Sequence, residues 1–269
     1  MKVGIIGSGI SGLICAYLLR HKHEITLYES DSKPGGHVNT VKINDETGTH
    51  KIDTGFIVFN ESNYPNFVRL LEHLKVESKK TRMGFSVRCA DSGIEYSGES
   101  LNGLFGAKKN ILDLKHWGMV SDIFRFHSLA KRNLNSQSSV EDFLSKHRFS
   151  NRFRDAFLLP LGSALWSCST ARFGKFPMEF VFDFLSNHKM LQSFDRPVWR
   201  VLKDGSRTYV DEMVKQIGNR LHLNTPVKKV FRTKTGINVD LPDGTMAAFD
   251  EIILACHADQ SLKMIDNPL

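Results

Sequence analysis

The sequence predicts an α/β fold in which a parallel-sheet unit is interrupted by an inserted, mainly helical α+β domain. Three observations predict it. The chain opens with a short apolar strand, a glycine-rich turn and an apolar helix. From about residue 78 to 202 the pattern becomes helical and rich in phenylalanine. After Arg200 the style changes back, and one helical face is followed by strands of alternating character.

The opening stretch carries the most information. Val3, Ile5 and Ile6 read as a buried strand. Gly7, Gly9 and Gly12 then give the spacing G-x-G-x-x-G. Gly7 permits the tight turn, Gly9 lets a pyrophosphate approach the backbone, and Gly12 lets the helix pack close to the strand. Leu13, Ala16, Tyr17 and Leu19 continue as a helix whose first amides, at Ile10 and Ser11, would face the phosphates. Ile25 to Tyr28 form a second strand that ends at Glu29, where a carboxylate can accept from both ribose hydroxyls of an adenosine. Glycine clusters also occur in ordinary turns and in βαβ units that hold no ligand. The flanking strand, helix and acidic residue favour a bound dinucleotide here.

Lys33-Pro34-Gly35-Gly36-His37 follows at once. A second glycine pair so close to the ribose carboxylate lets a loop fold back over the pyrophosphate, which an NAD site does not need. The run from Gly7 to Gly36 resembles the N-terminal signature of the flavin-dependent amine oxidase superfamily, which also holds phytoene-type desaturases and protoporphyrinogen oxidases. The resemblance implies a Rossmann-like FAD-binding domain, with Gly35, Gly36 and His37 among the cofactor contacts. His37 stands where that superfamily often has Arg.

Val41 and Ile43 alternate with polar residues and pair with Lys51 to Phe59 across a turn. Asp53-Thr54-Gly55-Phe56 reads by itself as a hairpin that needs a glycine. The resemblance implies a D-x-G turn, with the backbone at Gly55 and Phe56 beside the flavin ring. Ser62 or Asn63 is expected to cap a helix carrying Phe67, Leu70, Leu71 and Leu74 on one face. Two short strands surround Asp91-Ser92-Gly93.

The insert then reads as helices. Leu114 to Asn133 carries Trp117, Val120, Ile123, Phe124 and His127 at helical spacing. Ser139 starts another helix. Ser150 starts a third, which Pro160 is expected to end. Pro177 opens a fourth, with Phe180, Val181 and Phe184 inward. Twelve of the 19 phenylalanines lie between Phe124 and Phe194, as a packed core or as the lining of an apolar cavity. Leu159 to Ser167 and Phe184 to His188 look like a subgroup of predicted bacterial flavoproteins, some linked to modification of fatty acyl chains. That likeness implies Trp166 and His188 as substrate-pocket residues. The residues alone fit equally a structural histidine or a helix C-cap at His188.

Asp204-Gly205-Ser206 turns into a helix bearing Val210, Met213, Val214, Ile217 and Leu221, and a β-meander follows, closed by a strand from Phe249 to Ala255. The resemblance implies the superfamily's return to the flavin domain, where the usual entry is Gly-Gly-Ser and Asp204 is a departure. It also implies that the Val227 backbone meets the adenine. Cys256-His257 replaces the last two residues of a strand that commonly ends in Ala-Thr-Pro.

The bulk properties are those of an ordinary globular chain of 269 residues, with 41% hydrophobic and 24% charged residues. The net charge of +7 is scattered, and no nucleic-acid motif is present. It reads as a solvated surface, or as weak attraction to anionic substrates or a membrane face. Cys15, Cys89, Cys168 and Cys256 lack both C-x-x-C and metal-ligand spacing, which fits free thiols in a reducing cytoplasm. No apolar run reaches the length of a membrane span. The first strand begins at residue 2, which is expected to leave no room for a leader.

The resemblance therefore implies an FAD-binding domain of residues 1–77 and 203–269, with a substrate domain at 78–202. The superfamily carries a further C-terminal segment, so the chain is expected to be a fragment or a shortened relative. The expected activity is an FAD-dependent oxidoreductase taking a hydride from an apolar or amine-containing small molecule, such as a fatty acyl or isoprenoid-like chain. The rivals are an NAD(P)-dependent dehydrogenase and a non-catalytic nucleotide-binding protein. No residue is singled out as catalytic, and none as a metal ligand.

Overall fold

The computed structural model describes residues 1–90, 92–130, 132, 136–191 and 197–267. Asp91, Asn133 and Phe194, which figure in the sequence reading, lie outside the described residues. The chain divides into two compact units. The first is Met1–Phe59, Tyr64–Thr81 and Arg200–Leu269; the second is Asn60–Asn63 and Arg82–Trp199.

The first unit is built on a four-stranded parallel sheet. Strand β1 (Lys2–Ile6) is central, between β2 (Glu24–Tyr28) and Glu251–Leu254, and Leu221–His222 pairs beyond β2. Side chains alternate across it. Val3 and Ile5 of β1, with Ile25 and Leu27 of β2, share one core with Leu13 and Ala16 of helix α1 (Ile10–Leu19). Val210, Met213 and Ile217 of helix Arg207–Ile217 complete that core. Ile6 and Tyr28 face a second core with Val230, Val239 and Phe249. These three come from an antiparallel meander of Lys229–Thr233, Gly236–Asp240 and Met246–Phe249. Both faces are thus covered, which is why the strands read as near-continuous apolar runs.

Several local expectations are corrected. The stretch expected as one strand from Phe249 to Ala255 is split at Asp250: Met246–Phe249 ends the meander and Glu251–Leu254 joins the parallel sheet. The helix expected after Ser62 or Asn63 is Pro65–Leu74, with Tyr64 at its N-cap and Pro65 in its first turn. Proline has no N–H to lose there. Ser62 and the Asn63 N–H instead donate to the Asn60 side-chain oxygen in a local turn.

The second unit carries a two-stranded antiparallel pair, Ser86–Arg88 with Glu95–Ser97, and a helical core. Phe126, Phe143, Phe153, Phe173 and Phe182 are fully buried there, so these five are packing residues. Trp117, Phe124 and Phe180 correct the helical-face reading, since each is about half exposed. The faces of Leu114–Ala130 and Met178–Asn187 that turn inward carry Met119, Val120, Ile123 and Phe126, and Val181, Phe182 and Leu185.

Pro160 does not end its helix. Asn151–Phe153 runs through a π turn, Arg154–Leu158, into Leu159–Trp166, whose first turn holds Pro160. Proline removes a donor at a point where the ladder is already changing register. The Tyr96 hydroxyl donates to the Ala156 carbonyl inside that π turn, 2.5 Å away. Gly162 follows on the same helix, and a Cβ there would enter the ring of Phe173. Gly162→Ala should therefore cost about 1–3 kcal/mol by overpacking. A thermal melt of the variant checks this, and a midpoint equal to wild type would refute it.

Candidate functional site

The glycine loop between β1 and α1 is closed by contacts that glycine alone allows. Gly7 has φ +101°. A Cβ at Gly12 would overlap the Gly7 carbonyl oxygen. A Cβ at Gly9, by contrast, meets nothing within 4 Å. The loop is tight at Gly7 and Gly12 and open above Gly9. Ile10 and Ser11 follow as exposed residues of the first helical turn.

The second glycine pair folds back onto this loop. The Gly35 N–H donates to the Ser8 carbonyl at 2.9 Å. A Cβ on Gly36, at φ +57°, would lie 2.9 Å from the Gly9 Cα. Gly55 packs so closely on the His37 carbonyl that no Cβ fits between them. Phe56 is half-buried, edge-on to Tyr64 and Phe67. Across the loop, a Cβ on Gly7 would lie 2.7 Å from the Ala255 carbonyl oxygen. The His37 and His257 rings stack at 5.6 Å between centroids, 13° from parallel. Gly7, Gly9, Gly12, Gly35, Gly36, His37 and Gly55 are therefore brought together around one loop.

Glu29 sits at the end of β2 and is 8% exposed. Its carboxylate is already fully engaged by this chain. One oxygen accepts the Ser8 N–H (2.8 Å) and the Ser8 hydroxyl; the other accepts the Asp31 N–H (2.9 Å) and the Ser30 hydroxyl (3.1 Å). Burial raises the carboxyl's pKa, but the donors from Ser8, Asp31 and Ser30 outweigh it and hold the group below its ordinary value. Main-chain bonds from Thr225 N–H to the Glu29 carbonyl and from Asn224 N–H to the Asp31 carbonyl bring the segment of Val227 alongside.

The return turn is fixed by Asp53. Its carboxylate accepts the Ser206 N–H and hydroxyl and the Thr40 hydroxyl. Asp204, the departure from Gly-Gly-Ser, has φ +76°. The backbone keeps a glycine-like conformation, which aspartate tolerates better than most residues. Sequence reasoning missed Ser8 as a partner of Glu29, because G-x-G-x-x-G spacing says nothing of its variable positions. It noted His257 only as a departure, and no spacing reveals that His37 lies against it.

In the second unit, Trp166 packs among Phe173, Phe176, Phe180 and Phe184. His188 ends helix Met178–Asn187, stacks on Phe184 and bonds through Nδ1 to the Phe184 carbonyl at 2.9 Å. This is the helix C-cap arrangement.

A family model for flavin containing amine oxidoreductases matches residues 10–269. The chain belongs to this family. Flavin amine oxidoreductases are oxidoreductases, and FAD is the cofactor, so the match favours flavin over the nicotinamide alternative. Among curated proteins, a tryptophan 2-monooxygenase of Allorhizobium ampelinum is 26% identical, over 94% of this chain and 40% of its own length. A putrescine oxidase structure is 20% identical with a TM-score of 0.72, covering 100% of this chain and 61% of that one. Cyclohexylamine oxidase from Brevibacterium oxydans is 16% identical with a TM-score of 0.72, covering 100% of this chain and 60% of that one. These two structures share the mixed α/β, Rossmann-like fold. The chain thus spans 40% of the curated relative and about three fifths of each solved one. No helix among the described residues is long and apolar enough to cross a membrane.

Proposed function

We propose that this chain carries the adenosine- and diphosphate-binding part of an FAD-dependent oxidoreductase acting on an apolar or amine-containing small molecule. The observation that carries the reading is the glycine loop, closed at Gly12 and open above Gly9, with a buried, ionised Glu29 beside it. A diphosphate needs bare backbone to approach, and an adenosine ribose needs an acceptor. In this reading Gly7, Gly9, Ile10, Ser11 and Gly12 line the diphosphate, with Gly35, Gly36 and His37 as the covering loop. The ribose hydroxyls take the places of the Ser8 and Ser30 hydroxyls on Glu29, since those can rotate away while the Ser8 and Asp31 amides stay. Val227 meets the adenine through its backbone, and Gly55 and Phe56 lie beside the ring system.

When bound, the flavin supplies the two-electron oxidation of the substrate. The chain's own residues bind, orient and exclude water. Residues 78–202 serve as the substrate domain, and Trp166 with the half-buried phenylalanines around it offers apolar surface to a fatty acyl or isoprenoid-like chain. His188 acts there as a cap holding Phe184. The four free thiols favour the cytoplasm.

The test is the visible absorption of the purified protein, before and after denaturation. Flavin bands that sharpen to those of free FAD on denaturation are expected. A colourless protein that binds NAD, or neither nucleotide after addition of FAD, would overturn the reading.

A further inference from the structure

We propose that the tip of the second unit around Leu112 and Leu114 is a membrane-anchoring surface, which inserts apolar side chains into an anionic lipid bilayer and holds the protein peripherally on it. The inference stands on residues 101–118 and is independent of the flavin-binding reading.

The burial pattern of this segment is inverted. Helix Lys109–Leu112 buries Asn110, 4% exposed, and leaves Ile111 half exposed and Leu112 87% exposed. The first turn of Leu114–Ala130 buries His116, 1% exposed, and leaves Leu114 84% exposed and Trp117 half exposed. Scattered apolar residues on a surface need no explanation. Apolar residues out and polar residues in, over two consecutive elements, do. The tip is also firmly built. The Asn110 amide donates to the Glu95 and Leu104 carbonyls at 2.9 and 3.2 Å, and His116 Nε2 bonds to the Leu104 carbonyl at 2.9 Å. The Trp117 ring donates to the Ile111 carbonyl at 2.9 Å and lies 4.4 Å from the Phe105 ring. Leu101, also exposed, sits one helical turn before Phe105, whose N–H donates to the Leu101 carbonyl. Inward polar bonds thus fix the outward apolar side.

The charges around the tip fit an anionic surface. Lys108, Lys109 and Lys115 are all exposed. Asp113 is the one acid between Leu101 and Gly118, and it is already taken up. One of its oxygens accepts the Lys115 N–H at 2.9 Å, and the other pairs with Arg152 at 3.0 Å. Lys109 donates to the Gly93 carbonyl, a bond that leaves its charge unneutralised. Exposed leucines, an aromatic ring at their edge and a basic rim are the elements of an interfacial membrane contact. The leucines enter the acyl boundary, the indole sits at headgroup level, and the lysines meet anionic lipid.

A second copy of the chain is a poorer occupant. A two-fold contact brings the same patch together from both subunits, so the three lysines would face their own copies. The tip also offers a projection where a partner helix would need a groove. Leu112 and Leu114 flank Asp113 with most of their surface in solvent. Leucines that project in this way gain most by entering a soft apolar phase, while the lysines beside them stay at the headgroups. Attachment of this kind lies in the plane of the interface and requires no spanning helix.

The test is cosedimentation of the 269-residue chain with phosphatidylcholine vesicles carrying about 30% phosphatidylglycerol, at about 0.1 M salt. Wild type should bind, and brominated acyl chains should quench its tryptophan fluorescence. Binding should fall at least about tenfold on phosphatidylcholine alone, or at about 0.5 M salt. The double variant Leu112→Ser, Leu114→Ser should lose at least about thirtyfold. Its thermal melt should stay that of wild type, because both side chains are exposed. Lys108→Gln and Lys115→Gln should each weaken binding about fivefold. Trp117→Phe, which keeps a ring against Phe105, should still bind but lose most of the quenching. A wild type that stays in the supernatant would overturn the proposal, as would a leucine double variant that binds like wild type or a Trp117→Phe variant quenched like it. A wild type that ignores vesicles, but forms a dimer that the leucine double variant splits, would assign the surface to a second copy instead.

Discussion

Gly9→Val will abolish flavin binding and leave the fold intact. A Cβ at Gly9 enters open space, and the residue's φ of −64° suits any L-amino acid. Nothing in the apoprotein therefore resists the substitution. The cost appears only when a diphosphate has to occupy that space. Affinity for FAD should fall at least about a hundredfold while the melting midpoint stays within a few degrees of wild type, since surface changes without strain move stability by about 0.5 kcal/mol. Gly12→Val should behave in the opposite way. Its Cβ collides with the Gly7 carbonyl, so it should destabilise the first unit by several kcal/mol and lower soluble yield. Calorimetry and flavin content on the two variants separate ligand space from packing space three residues apart. A Gly9→Val protein that remains yellow would show that the open space is not the diphosphate site.

The parallel unit was legible because burial on both sheet faces leaves continuous apolar strands, and a glycine loop between strand and helix has few other uses. The strand pairing of Glu251–Leu254 with β1 was less so. The polar residue Asp250 marks the break, but only the parallel register shows that one apolar run serves two sheets. Pro160 misled because a proline is read as a stop, whereas a π turn just before it lets the helix continue. Trp117, Phe124 and Phe180 misled for a different reason: large apolar residues at helical spacing need not define the buried face when other apolar residues compete for it. In the site, the places of single residues were readable, Gly9 in the turn after β1 and Glu29 just beyond β2. Relations between distant residues were not. Ser8 on Glu29, Asp53 on Ser206 and His37 on His257 each depend on a chain closure that spacing does not encode.

Glu29→Ala should lose both flavin affinity and stability, and the second loss follows from the structure alone. Sequence reasoning treats Glu29 only as an acceptor for the ribose hydroxyls. The carboxylate in fact satisfies the buried Ser8 N–H and the Asp31 N–H. Alanine leaves both donors without an acceptor, at about 1–3 kcal/mol for each that water cannot reach. Loss of about 2–4 kcal/mol should lower the melting midpoint by roughly 5–15 °C. Affinity for FAD should fall roughly 10- to 150-fold from the missing charged acceptor. The pH dependence gives the sign of the contribution. Glu29 has a folded-state pKa below its ordinary 4.5, so its stabilisation is fully present above that value and is lost as pH falls through the folded-state pKa. The gap in stability between wild type and Glu29→Ala should therefore be widest near neutral pH and close on acidification below about 4.5. Paired chemical denaturation curves at neutral and acid pH measure it. An alanine variant as stable as wild type at neutral pH would mean that the donors around Glu29 find other acceptors, and the carboxylate would then be a ligand contact only.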